Sequence, residues 1–265
     1  MRRLRRLVQK RSLRWSEGVC VLEGPDLINA ALAVGQEFEA IYVDERAHST
    51  EIAEVLERAQ RSGVRVFRLR DGVIDKIADA QTPQPILAAV RVPQHDLSTL
   101  TADGLVMVLH DVRDPGNVGT IIRSADAAAV SAVVLTGQSV DPFNPKTLRA
   151  TAGSIFNVPL AVAALEECIE YFRSRGARVL ATVVKGDESF RRVNLNQPTV
   201  VLIGNEASGL DEQAVAMCDA TITIPMAGRS ESLNAGVAAS LVCFEALYQR
   251  EDASEGRAPR SLEEL

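Results

Sequence analysis

With 265 residues, 46% hydrophobic and 24% charged, the chain has the length of two domains and an ordinary globular composition. Aromatics make up only 4%, which weighs against many base-stacking platforms, and no apolar run nears the ~18 residues of a membrane-spanning helix. Net charge is −6, so any affinity for a polyanion must be local rather than global.

Such a local block opens the chain. Arg2, Arg3, Arg5, Arg6, Lys10, Arg11 and Arg14 stand within residues 2–14 without an acid among them, a segment that can neutralise nucleic-acid phosphates; a solvated basic helix end is the bland alternative. The apolar core and small-residue cleavage site of a signal peptide do not follow. Val19–Glu23 then reads as a strand and Pro25–Val34 as a helix, with Leu27, Ile28, Ala31 and Leu32 at helical spacing. Next come a strand over Ala40–Val43, a helix over Glu51–Arg61, a strand over Val64–Leu69 that alternates apolar and basic residues, a short helix near Val73–Ala78, and a strand over Ile86–Val90. These elements make a small α/β domain spanning 1–97.

The polar stretch 93–103, PQHDLSTLTAD, reads as a linker. Beyond it a second α/β domain covers 104–250. Leu105–Leu109 is a continuous apolar run of the kind a strand covered on both faces requires. A helix over 115–129, a strand over Ala132–Leu135, a short helix near Lys146–Thr151 and a helix over Leu165–Ser174 follow. Strands at Val179–Val184, Val200–Ile203 and Thr221–Ile224 precede a last helix from about Asn234 to Gln249. Residues 251–265 are charged, nearly free of apolar residues, and read as a disordered tail. Cys20, Cys168, Cys218 and Cys243 form no CxxC pair; they read as reduced, mostly buried thiols of a cytoplasmic protein, with no metal site.

Three motifs sit at strand ends. In HDVRDPGNVGTIIRSADAAAV, Asp114 and Pro115 are a helix-start signal, Asn117 and Gly119 fall in the first turn, and Arg123 lies about 9 Å further along the axis. Arg123 reaches the Asn117 site only by its length, or serves a neighbouring subunit; an i,i+3 pair with Asp126 is the bland alternative. In VVLIGNEASGLDEQAV, Gly204 at a strand's carboxyl end lets backbone atoms face a ligand, and Glu206 offers a hydrogen-bond acceptor. In ITIPMAGRSESLNAGVAASLVCFEAL, Ser232 reads as the N-cap of a helix whose small face, Ala235, Gly236, Ala238 and Ala239, suits close packing on another helix.

Taken together, Asn117-x-Gly119-x-x-x-Arg123-x-Ala125, Gly204-Asn205-Glu206-x-x-Gly209 and Ile224-Pro225-Met226 with Ser232-Leu233-Asn234 closely resemble the SpoU/TrmH-type RNA ribose methyltransferases of the SPOUT superfamily. The likeness covers roughly residues 105–250. The N-terminal half is similar to the RNA substrate-binding domain of ribosomal RNA methyltransferases, through its basic lead-in, Leu22-Glu23-Gly24-Pro25 and Thr82-Pro83-Gln84-Pro85. The resemblance implies a deep trefoil knot, a homodimer joined through the C-terminal domain, and S-adenosyl-L-methionine bound by Thr182, Val183, Gly204, Glu206, Ile224, Met226, Leu233 and Asn234. It makes Arg123 the catalytic residue, assisted by Asn117, Glu206, Ser232 and Asn234. Where the family commonly continues Ser-Leu-Asn-Val-Ser, Ala235 and Gly236 follow Asn234 here, so a second hydroxyl is missing.

The implied reaction is methyl transfer to a ribose 2′-hydroxyl, of ribosomal more than transfer RNA. A guanidinium is too weak an acid to serve as a base, so Arg123 is expected to hold a phosphate and acidify the hydroxyl electrostatically. The competing readings are a transfer-RNA enzyme, a catalytically silent RNA-binding dimer, and a nucleotide-binding α/β enzyme. The last lacks both Gly-x-Gly-x-x-Gly after the first strand and a Walker lysine.

Overall fold

In a computed structural model residues 1–255 are described. Among them the chain forms α1 (Arg2–Gln9), α2 (Arg11–Glu17), β1 (Val19–Glu23), α3 (Pro25–Ala33), β2 (Phe38–Asp44), α4 (Thr50–Arg61), β3 (Val66–Leu69) and β4 (Ile86–Arg91). It continues through β5 (Leu105–His110), α5 (Pro115–Ala127), β6 (Ala132–Thr136), α6 (Pro145–Thr151), β7 (Leu160–Val162), α7 (Leu165–Arg173) and β8 (Arg178–Thr182). The remainder is β9 (Glu188–Ser189), β10 (Thr199–Ile203), α8 (Glu212–Ala216), β11 (Ala220–Thr223) and α9 (Ala235–Ser254).

Contacts divide the chain into two units. The first joins Met1–Pro93 to Asp141–Asn157; the second joins Gln94–Val140 to the chain from Val158 onward. By sequence, 141–157 is expected in the second domain, whereas its side chains pack in the first unit. Asp141 takes the guanidinium of Arg14 at 2.6 Å, Arg149 reaches Glu23 at 2.8 Å, and Phe143 packs its ring against Trp15. No local pattern in 141–157 announces partners more than one hundred residues away.

The first unit is built on a mixed sheet ordered β1-β4-β2-β3, antiparallel except for the β2–β3 pair. The basic lead-in is helical because its apolar residues fall on one face: Leu4, Leu7 and Val8 are buried against Val19, Val21, Leu87 and Ala89. This corrects one expectation, since Arg14 is 2% exposed and closed in an ion pair, beyond the reach of RNA. Arg3 is held by Glu17 and Glu39, while Arg2, Arg5, Arg6, Lys10 and Arg11 remain exposed. The expected short helix at 73–78 is a run of turns, begun at Gly72 with φ +69° and pinned by buried Ile74 and Ile77.

The second unit carries a parallel sheet ordered β7-β6-β5-β10-β8-β11-β9. The apolar run Leu105–Leu109 lies at its centre, buried on both faces. On one face α7 turns in Leu165, Cys168, Ile169 and Phe172 against Val106, Val108, Val179 and Leu202. Leu165, Ile169 and Phe172 each contribute about 1.5–3 kcal/mol by leaving water. The supposed linker is packed as well: Leu97 and Leu100 join this cluster, and the Tyr171 hydroxyl donates to the carbonyls of Ser98 and Leu100.

The other face carries α5 and α9. Gly236 brings them close, for a Cβ there would meet the Thr120 side chain at 3.2 Å, and the Ser124 and Ser240 hydroxyls share a hydrogen bond of 2.7 Å. The last helix runs to Ser254, so residues 251–254 are ordered where a tail was expected; 256–265 lie outside the described residues. Cys20, Cys168 and Cys243 are buried, which pushes their thiols up to about 12, and half-buried Cys218 up to about 11. No helix among the described residues is long and apolar enough to cross a membrane.

Candidate active site

Open parallel sheets bind ligands beyond the carboxyl ends of their strands, where loops splay apart. Here the ends of β8, β10 and β11 and the start of α9 enclose a cavity of about 300 Å³. Thr182 and Val183 contribute from β8, Gly204 and Glu206 from β10, Ile224 and Met226 from β11, and Ser232 and Leu233 from the approach to α9. Seven of the eight residues expected to hold the cofactor thus line one cavity; Asn234 lies beside it as the first residue before α9. Half-buried apolar walls, Ile224 and Met226, face backbone polar groups, which suits a flat heteroaromatic ligand with hydrogen-bonding edges.

Gly204 earns its place differently from the expectation. A Cβ at this position would lie 2.4 Å from the backbone of Gly209 and Leu210. The glycine therefore lets the loop fold back on itself, and Gly209, with φ +70°, closes the turn. Asn205, which the sequence reading left without a role, ties that turn together. Its Oδ1 accepts from the amides of Ala207 and Ser208, while its Nδ2 donates to the Asp111 carbonyl at 2.9 Å. Asp111 presents that carbonyl from a left-handed conformation, φ +58°. An Asx residue opening a turn was the available signal.

A chain of side-chain amides joins the three motifs. Asp114 caps α5 by accepting from Asn117 N, with Pro115 in the first turn as expected. Asn117 donates through Nδ2 to Glu206 Oε1 at 2.9 Å and accepts on Oδ1 from Asn234 Nδ2 at 2.8 Å. Asn234 in turn accepts on Oδ1 from Val237 N. Asn234, rather than Ser232, is therefore the N-cap of α9; Ser232 offers its carbonyl to Ser230. A carboxylate can only accept, so Glu206 fixes which way Asn117 points, and Asn117 fixes Asn234.

Glu206 also accepts from the amides of Arg113 and Asp114. Desolvation works against its charge, but hydrogen bonds from Asn117 and these amides outweigh it and hold the carboxyl below the usual carboxylate range. It fastens the loop after β5 to the loop after β10, which consumes much of its capacity to grip a substrate.

Asn117→Asp tests this chain. It sets a second carboxylate against Glu206 and removes a donor at a site 8% exposed. The expected cost at pH 7 is about 1–3 kcal/mol, a few degrees in melting temperature. The pH dependence separates the causes. Glu206's depressed value stabilises the native chain above the unfolded carboxylate range, and that share is lost as pH falls through the folded value. The variant instead gains from acidification as one carboxyl takes a proton, so its deficit should shrink from pH 7 towards about pH 4. A deficit independent of pH would show that the carboxylates do not meet.

Arg123 is exposed on α5 and does not line the cavity of its own chain. Among the described residues no cluster of three or more His, Cys, Asp or Glu could hold a metal ion.

Two family models match. Residues 104–244 fit the SpoU rRNA Methylase family, and residues 1–88 fit the MRM3-like substrate binding domain. The 23S rRNA (guanosine(2553)-2'-O)-methyltransferase RlmP of Bacillus subtilis (strain 168) is 32% identical over 84% of this chain and 86% of its own. The structure of the SpoU methyltransferase AviRb from Streptomyces viridochromogenes, in complex with the cofactor AdoMet, superposes with a TM-score of 0.85 at 29% identity, covering 94% of this chain and 97% of that one. The AdoMet-bound rRNA methyltransferase from Sinorhizobium meliloti gives a TM-score of 0.81 at 32% identity, covering 92% of each chain.

Proposed function

The chain belongs to the SpoU rRNA methylase family of RNA methyltransferases, and from that premise we propose that it methylates a ribose 2′-hydroxyl of ribosomal RNA using S-adenosyl-L-methionine. One observation carries the reading: the segments at 182–183, 204–209 and 224–233 enclose a single cavity, and the amide chain Asn234–Asn117–Glu206 links it to the helix that bears Arg123.

The cofactor supplies a methyl group already activated on a sulfonium, so this chain's task is alignment and charge stabilisation. Val183, Ile224, Met226 and Leu233 would hold its apolar surfaces, with backbone groups of the three loops reading its edges. Arg123 binds a substrate phosphate and favours the ionised form of the attacking hydroxyl. Asn117, Glu206, Ser232 and Asn234 keep the loops in register. Exposed Arg2, Arg5, Arg6, Lys10 and Arg11 contact RNA phosphates. Ribosomal RNA is favoured over transfer RNA because the RlmP relative is named for 23S rRNA and the N-terminal half fits a substrate-binding model.

The active species is a cytoplasmic homodimer whose second units meet, with the family's trefoil knot in each. Its support is a stripe on α9: Val237, Leu241 and Tyr248 are exposed at helical spacing, with Phe244 packed against Tyr248, a face a monomer leaves in water. The deciding experiment incubates the protein with labelled S-adenosyl-L-methionine and total RNA from cells lacking it, then digests with alkali. Label should appear in alkali-resistant dinucleotides of ribosomal RNA, since a 2′-O-methyl blocks cleavage. Label in mononucleotides would mean base methylation and would overturn the reading.

A further inference from the structure

One aromatic pair stands apart from the cofactor cavity. β3 is an edge strand of the first unit's sheet, and Val66, Phe67 and Arg68 on it are exposed. Phe67 is 46% exposed, yet it is not loose: its ring stacks on that of Tyr42, directly opposite on β2, with centroids 5.6 Å apart and planes 19° from parallel. Tyr42 is anchored in turn against the cluster that includes Leu4, Leu7 and Leu87.

The edge strand and its flanks are cationic, and the acid nearest the pair, Glu39, is taken up by Arg3. Residues 61–70, RSGVRVFRLR, hold four arginines and no acid. Arg61 pairs with Glu57, and Arg65 donates to the Glu39 carbonyl on the Phe67 side of the strand, which leaves further N–H groups of Arg65 to a ligand. Arg68 and Arg70 project from the alternate positions. Arginine on an edge strand discourages a neighbouring strand from adding. That accounts for the charge but not for an outward ring backed by a second ring, a geometry that suits a flat partner.

We propose that Phe67, backed by Tyr42 and accompanied on its own face by Arg65, is a stacking platform for one base of a single-stranded RNA segment whose phosphates meet Arg65 and, around the strand's open edge, Arg68 and Arg70 on the other face. The aromatic ring supplies the stacking surface every base can use, and the arginines supply the charge complement of a polyanion. The platform extends the proposed function by assigning a surface to the RNA substrate, and it rests on RNA being that substrate.

The test is fluorescence anisotropy of the full chain with a fluorescein-labelled single-stranded adenosine oligomer about ten nucleotides long. Phe67→Ala should weaken binding by about 5- to 100-fold, and Phe67→Trp should retain it. The tryptophan variant's emission should be quenched by the oligomer beyond any change at Trp15 in the parent. Arg65→Gln with Arg68→Gln should flatten the salt dependence by about 0.7 per arginine. Unchanged affinity for S-adenosyl-L-methionine and unchanged melting show that a variant is folded. Affinity of Phe67→Ala within about twofold of the parent, an unquenched Phe67→Trp, or a parent that does not bind the oligomer would each overturn the platform. A parent that methylates RNA while Phe67→Ala binds normally defeats the platform alone; platform-dependent binding without methyl transfer defeats the enzymatic reading alone.

Discussion

Replacing Arg123 by alanine should abolish methyl transfer and leave affinity for S-adenosyl-L-methionine unchanged. The residue is exposed on α5, outside the cavity lining of its own chain, so its loss leaves that lining intact. On the proposed mechanism, what it removes is a fixed positive charge beside the attacking oxygen. Single preorganised groups of this kind are worth about 10²–10³ in turnover, and more when substrate positioning goes with them. Arg123→Lys should rescue little, because an ammonium lacks the planar fork that grips a phosphate. Single-turnover methylation and equilibrium cofactor titration are the two measurements; full activity in the alanine variant would remove Arg123 from the mechanism.

Where that charge acts follows from a mixing experiment. If Arg123 completes the partner's cavity, Arg123→Ala mixed with a cavity-dead Gly204→Val chain should recover activity, since a mixed dimer then contains one complete site. Random reassortment would restore about a quarter of the normal rate. No recovery would put Arg123 in the service of its own chain.

The largest stability effect is expected at Arg14 and Asp141. Their ion pair is closed from water on both sides, with side-chain exposures of 3% and 4%. Arg14 further donates to the carbonyls of Leu7 and Val8 at the end of α1. Asp141 accepts from the Trp15 indole and from Phe143 N. Truncating either partner strands a buried charge, which costs about 3–5 kcal/mol. At about 2–4 °C per kcal/mol, melting should fall by roughly ten degrees. An Arg14→Met, Asp141→Leu double variant should be destabilised by less than the sum of the singles, because neither charge is left unpaired. Single variants melting within a degree or two of the parent would mean that water reaches the pair.

The secondary-structure pattern was legible wherever a periodic apolar face was long enough to read, as in α4 and α5 or the run Leu105–Leu109. Short elements escaped: β7, β9 and α8 span two to five residues and carry no period. The site was legible as a set of motifs, because glycines and Asx residues at strand ends have local causes. Its wiring was not. That Asn234 rather than Ser232 caps α9 follows from Asn117, more than one hundred residues earlier, holding the Asn234 amide in place. Arg14 looked like its basic neighbours for the same reason: burial is decided by Asp141, and a run of arginines does not say which one turns inward.

The detour of Asp141–Asn157 into the first unit bears on how this molecule can be taken apart. A cut near residue 100 does not yield two independent pieces. A fragment starting at 104 would carry Phe143 and Leu148, both buried in the intact chain, without the partners that cover them. The front piece would in turn lose the carboxylate that neutralises Arg14. Grafting the first unit onto another methylase therefore requires moving an internal cassette together with the leading segment, and a lineage that exchanged only one of them would inherit an unpaired core.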